Sequence, residues 1–165
     1  MKKLLFLILS LGCLSIVQAQ TGSKNPNTAI GKTFKKISDI DVFKSYKEED
    51  GVLITESKEQ KNIFSKISDG SRTMVLFIKY LPQGDKILAI LDIGKIEKNM
   101  RILLRECRVN NKTDGFVVAL VNAKPWKAYF TNMIKAWRVD PNKNTFNAIS
   151  VKGIDCLNEE FDNVE

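Results

Sequence analysis

The chain has 165 residues, with 26 Lys and Arg, 19 Asp and Glu and no His, for a net charge of +7. Without imidazole, Ser-His-Asp and Cys-His nucleophilic catalysis and His-ligated zinc are excluded. A composition that is 44% hydrophobic and 27% charged, with 9 Gly and 4 Pro, suits a single globular domain and neither a collagenous nor a Pro-rich chain.

In chain order, Met1-Lys2-Lys3 is positive, residues 4–14 are almost wholly apolar, and Val17-Gln18-Ala19 ends in the small residue a signal peptidase reads. The sequence therefore predicts a secretory signal over residues 1–19. A membrane anchor would need about 18–20 apolar residues, and Ser10, Gly12, Cys13 and Ser15 interrupt this run. Lipidation of Cys13 would need a leucine and small residues before it, which Ser10-Leu11-Gly12 matches poorly. Export to the periplasm or the extracellular space follows. Loss of Cys13 leaves Cys107 and Cys156 in a compartment where disulfides persist, so the two are expected to pair. A redox-active pair would instead favour the short Cys-x-x-Cys spacing. After the signal, no apolar run is long enough to span a membrane.

Residues 20–28 are polar and read as a flexible leader to one domain over residues 29–165. Between residues 30 and 67 two helical pieces are predicted. One carries a stripe of Ile37, Ile40, Phe43 and Tyr46, the other Ile63, Phe64 and Ile67, with a β-prone stretch over 51–55 between them. Residues 73–81 and 86–96 are rich in β-formers and flank Pro82-Gln83-Gly84-Asp85, predicting a hairpin. Residues 100–109 satisfy both a helical stripe and a bulged strand, the strand being preferred. A loop over 110–115 leads to an apolar strand over 116–121. Pro125 is then expected to open a helix reaching Ala136, because Trp126, Phe130, Met133, Ile134 and Trp137 fall three or four residues apart. Residues 137–139 and 145–151 form a closing hairpin, and residues 155–165 an acidic tail. The expected fold is a single α+β domain: an antiparallel sheet of about four to six strands with helices on one side, and one disulfide.

Several stretches carry a resemblance: Leu91-Asp92-Ile93, Glu106-Cys107-Arg108-Val109-Asn110, Ala136-Trp137-Arg138-Val139-Asp140 and Gly153-Ile154-Asp155-Cys156-Leu157-Asn158. They resemble a pattern in small exported bacterial proteins of the Bacteroidetes type that have no assigned activity. Its most specific parts are the Ala-Trp-Arg-x-Asp and Gly-Ile-x-Cys-x-Asn runs, and it covers roughly residues 75–160. The resemblance implies a Cys107–Cys156 pair and a strand over residues 100–109, and supplies no activity.

Charge is unevenly spread. Residues 20–73 hold 10 bases and 8 acids, residues 74–154 hold 14 and 6, and residues 155–165 hold none and 5. The densest basic group gives Lys98, Arg101, Arg105 and Arg108 as candidate anion-binding residues, since neighbouring guanidinium forks suit phosphate or carboxylate. Against this stands a solvated strand face neutralised by Glu97, Glu106 and the tail acids. Nucleic acid is not the expected partner, because Trp126, Phe130 and Trp137 sit at core spacing instead of interleaving with bases on a surface. Without His, hydrolysis would fall to paired carboxylates, for which Asp92, with a pKa raised by burial, and Asp140 are the candidates. The sequence shows no metal or cofactor signature. It is read as a non-catalytic exported binding or envelope accessory protein. The alternatives are an anionic-ligand-binding surface and an envelope hydrolase, and the partner is an acidic protein or an anionic envelope polymer.

Overall fold

The structure, a computed structural model, describes residues 25–56, 61–124, 127–159 and 161. The expected signal segment, most of the leader and Pro125-Trp126 lie outside the described residues.

Short 3-10 turns at Pro26–Ala29, Ile37–Asp39 and Asp41–Phe43 are the only helical elements described. The rest is strand: β1 (Thr33–Phe34), β2 (Lys47–Glu56), β3 (Lys61–Ser68), β4 (Thr73–Tyr80), β5 (Asp85–Gly94), β6 (Met100–Leu103), β7 (Cys107–Val109), β8 (Lys112–Thr113), β9 (Val117–Asn122), β10 (Tyr129–Phe130), β11 (Met133–Asp140), β12 (Thr145–Ile149) and β13 (Ile154–Leu157). They form three antiparallel sheets. The N-terminal sheet runs β1-β5-β4-β3-β2, a middle sheet β12-β11-β9-β6, and a third sheet β10-β13-β7-β8.

The expected α+β class is thus corrected to a nearly all-β one, and the sheets stack in layers. Met74, Leu76 and Ile78 of β4 pack beneath the 3-10 segment with Ile40, Phe43 and Tyr46, whereas Val75 and Phe77 face the middle sheet. In β9, Val118 and Leu120 meet the N-terminal sheet, while Val117, Ala119 and Val121 meet Phe130, Ile154 and the two cysteines of the third sheet. Between the first two sheets, Phe64 lies 5.9 Å from Phe77 and 5.8 Å from Phe146, centroid to centroid. Burial on both faces explains why β4 and β9 are continuous apolar runs.

The same two-sided burial produced the helical misreadings. In β3, Phe64 enters one core and Ile67 the opposite one, so the apolar spacing over residues 63–67 resembles a helical stripe although the chain is extended. In β11 a bulge between Met133 and Lys135 adds a residue. It places Met133 and Ala136 in one core and Trp137 and Val139 in the other. The helix expected from Pro125 to Ala136 is replaced over its described part by β10 and the start of β11. The expected helix over Ile37–Tyr46 is reduced to 3-10 turns joined by extended residues, Ile40 among them.

Two hairpins, β4–β5 and β11–β12, and the strand β9 stand where the sequence put them. Residues 100–109 are strand, broken at Leu104–Glu106 into β6 and β7, which enter different sheets. No described helix is long and apolar enough to cross a membrane.

Candidate functional site

Three of the predicted residues, Cys107, Arg108 and Cys156, lie in the third sheet. Cys107 and Cys156 are fully buried, lie opposite each other on β7 and β13, and form a disulfide. Closing a loop over a sequence separation of 49 stabilises the fold by about 4 kcal/mol in the chain-entropy model. One residue along the same ladder, Arg108 opposes Asp155 and grips it through two hydrogen bonds of 2.6 and 2.9 Å. Its guanidinium also stacks over Tyr129, 4.0 Å from the ring centroid. Arg105, in the break after β6, pairs with Glu159 at 2.5 Å. Each of these carboxylates raises the pKa of its arginine further above the ordinary value.

Residues that carry the resemblance hold the third sheet and the β11–β12 turn of the middle sheet. Gly153 has φ +77°, a left-handed conformation, and a Cβ there would meet the Asn110 side chain. Ile154 enters the core, and buried Asn158 donates from its amide to the Lys127 carbonyl at 3.0 Å. Arg138 pairs with Asp114 at 2.8 Å, and Asp140 accepts from the Asn142 and Lys143 amides to close the β11–β12 turn.

Asp92 corrects an expectation. It is neither buried nor raised in pKa: its exposed carboxylate is held by Arg72 and accepts from the Gly94 amide, which lowers its pKa. The neighbouring Asp69 carboxylate accepts from the Ser71 amide, the Ser71 hydroxyl, the Arg72 amide and the Tyr46 hydroxyl, which lowers its pKa too. These groups brace the β3–β4 turn, and the reason for giving Asp92 a proton-donor role is gone. Among the described residues, no group of three or more Cys, Asp or Glu is placed to hold a metal ion.

One cleft, of about 500 Å³, lies between the N-terminal and middle sheets. Residues 100–105, which are β6 and its exit, form one wall, and Asp50, Lys66, Ser68 and Thr73 stand on the other. Glu49 bridges to Lys66 at 3.6 Å, and Glu159 closes the end through Arg105. Met100, Ile102 and Leu104 belong to the core between the two sheets and give the cleft an apolar base. Of the four candidate anion-binding residues, Arg101 and Arg105 are brought together here; Arg108 is in the third sheet and Lys98 in the connection before β6.

Sequence reasoning missed Asp50, Lys66, Ser68 and Thr73 as one wall because it read the stretch around Ile63, Phe64 and Ile67 as a helical piece instead of β3, the strand that pairs with both β2 and β4. The available signal was Asp69-Gly70 between two eight-residue segments, a hairpin turn followed by an unambiguous strand. A second, more open depression is bordered by Lys112, Asp114, Arg138 and Lys152.

Comparison with known proteins finds no family model, curated protein or solved structure that matches this chain.

Proposed function

We propose that the chain is a non-catalytic, exported binding or envelope accessory protein whose partner occupies the cleft between β6 and the β2–β3 wall. The observation that supports this most is the make-up of the cleft, in which an apolar base is bordered by hydroxyls, an amine, guanidinium groups and carboxylates. Concave sites with a few converging polar groups are where ligands bind. The expected signal segment and the disulfide support residence in the periplasm or outside the cell, where such bonds persist. From Gln20 onward 24 bases against 19 acids leave a net charge of +5, which favours an acidic partner.

Affinity capture from envelope and culture-medium extracts tests the reading, with the wild-type chain, Arg101→Glu and Lys112→Glu as baits. A partner held by wild type and by Lys112→Glu, and lost from Arg101→Glu, is expected. Equal retention by all three, or loss from Lys112→Glu alone, would overturn it. A salt gradient adds the nature of the contact, since screened charge contacts release early and a packed interface does not.

A further inference from the structure

We infer that the cleft takes an extended acidic segment of a partner polypeptide, which adds to the middle sheet as a strand beside β6. The inference rests on the cleft being the binding site and names what fills it.

The ladder decides which way β6 points its backbone. Met100, Arg101, Ile102 and Leu103 lie opposite Asn122, Val121, Leu120 and Ala119, and the Ala123 amide donates to the Asn99 carbonyl at 2.9 Å. That bond fixes the alternation: Arg101 and Leu103 exchange hydrogen bonds with β9, while Met100 and Ile102 turn their N–H and C=O groups the other way. The Met100 amide is satisfied by the Glu97 carbonyl at 2.9 Å. The Ile102 groups point to the side of the sheet on which, among the described residues, β6 is the terminal strand. That side is the cleft, since all six residues from 100 to 105 line it.

Among the described residues four of the other edges are blunted, and the fifth, β12, is an uncharged five-residue strand in unbroken register with β11 that does not line the cleft. β1, β8 and β10 are two-residue strands. β2 carries Lys47, Glu48, Glu49 and Asp50 and two register shifts. Short strands, charges and bulges are how sheets avoid adding further strands. β6 pairs with β9 in unbroken register and has one charged residue, Arg101.

A strand added beside β6 lies about 4.8 Å from it and alternates its side chains between the two faces of the sheet. One set meets Lys66, Ser68 and Thr73 across the cleft. The other set lies on the face of β6 that carries Arg101 and Leu103, where a carboxylate complements the guanidinium. Main-chain pairing supplies affinity and the alternate side chains supply selectivity, as in other strand-addition sites.

The test is selection from a phage-displayed library of random seven-residue peptides on the chain from Gln20 onward, with counter-selection on Arg101→Glu. The strongest peptide is then remade with backbone N-methyl groups at alternate positions, in both phases. The inference predicts an acidic peptide of alternating pattern. N-methylation in one phase is expected to weaken it by about tenfold or more and in the other phase to be tolerated, because only one phase faces β6. Exchange of the Ile102 amide is expected to slow on binding. If peptides are selected but tolerate N-methylation in both phases and leave Ile102 exchange unchanged, strand addition is overturned while the cleft remains the binding site. If nothing is selected although extracts yield a partner that Arg101→Glu loses, strand addition is likewise overturned and the wider reading stands. If neither experiment yields a partner dependent on Arg101, both fall.

Discussion

The N-terminal sheet and the third sheet reach stability by different routes. In the former, β2 to β5 run eight to ten residues each, and β3, β4 and β5 bury apolar side chains on both faces. In the latter, β7, β8, β10 and β13 run two to four residues, too few ladder bonds to hold a sheet unaided. Cross-links take their place: the Cys107–Cys156 bond, the Arg108–Asp155 fork stacked on Tyr129, and the Arg105–Glu159 pair. Basic residues that read as a binding surface in the sequence are therefore largely engaged in tying the acidic C-terminal segment to the fold. Arg101, on β6 of the middle sheet, is the member of that group whose strand forms a wall of the cleft.

The contrast is broken most forcefully by removing the covalent link. Replacing both cysteines by alanine is expected to cost about 4 kcal/mol of stability, measured by denaturant unfolding. In hydrogen exchange, protection should fall first in β7, β10 and β13 and persist longest in β4 and β5. Uniform loss across all strands would show that the third sheet is no weaker than the first.

A smaller effect is expected at Gly153, whose left-handed backbone begins β13. Gly153→Ala should destabilise by about 1–2 kcal/mol, because an L-residue resists that conformation. The measurement is again denaturant unfolding.

The pH dependence sharpens the comparison from the other side. Asp69 and Asp92 have folded pKa values below the ordinary 3.8. Their contribution is complete well above that value and is lost as pH falls through it towards the lower folded values. Thermal melts between pH 7 and pH 3 should show a drop in Tm in the acid range, and Asp92→Asn should reduce that drop. Asp85 carries the opposite sign, since burial and the charge of Glu48 raise its pKa. Its ionised form opposes folding at neutral pH, so Asp85→Asn should raise Tm there and converge with wild type in acid.

The least effect is expected at Arg105. Its pair with Glu159 is about half exposed, and such pairs contribute roughly 0–1 kcal/mol. Arg105→Ala should leave the melting curve nearly unchanged.

These differences also explain what the sequence disclosed. The β4–β5 hairpin was legible because Pro82-Gln83-Gly84-Asp85 interrupts two long runs of β-formers, and β9 because six apolar residues, 116–121, are bounded by Gly115 and Asn122. The alternation in β5 is itself shifted by a bulge, where Ala89 pairs with Phe77 but Ile87 with Ile78, so Ile87 and Ala89 face different cores. In β3 and β11, burial on both faces and one added residue converted a period of two into apparent helical spacing. Pairing of Cys107 with Cys156 was legible from counting alone. Neutralisation of the basic group by the tail acids was legible too, once the disulfide brings the tail near; which acid meets Arg105 and which Arg108 was not, because it depends on the register of β13 beside β7. The cleft needed the correction of β3 from helix to strand before its second wall could be seen, the first being β6, already read as strand.

The central claim, that binding takes place along β6, is tested most directly by amide-resolved NMR of the chain from Gln20 onward, titrated with a partner peptide obtained by selection. The account predicts that the largest shifts fall on residues 100–105 and on Lys66, Ser68 and Thr73, with the disulfide sheet unmoved. Shifts centred on Lys112, Arg138 and Lys152, with β6 unchanged, would contradict it.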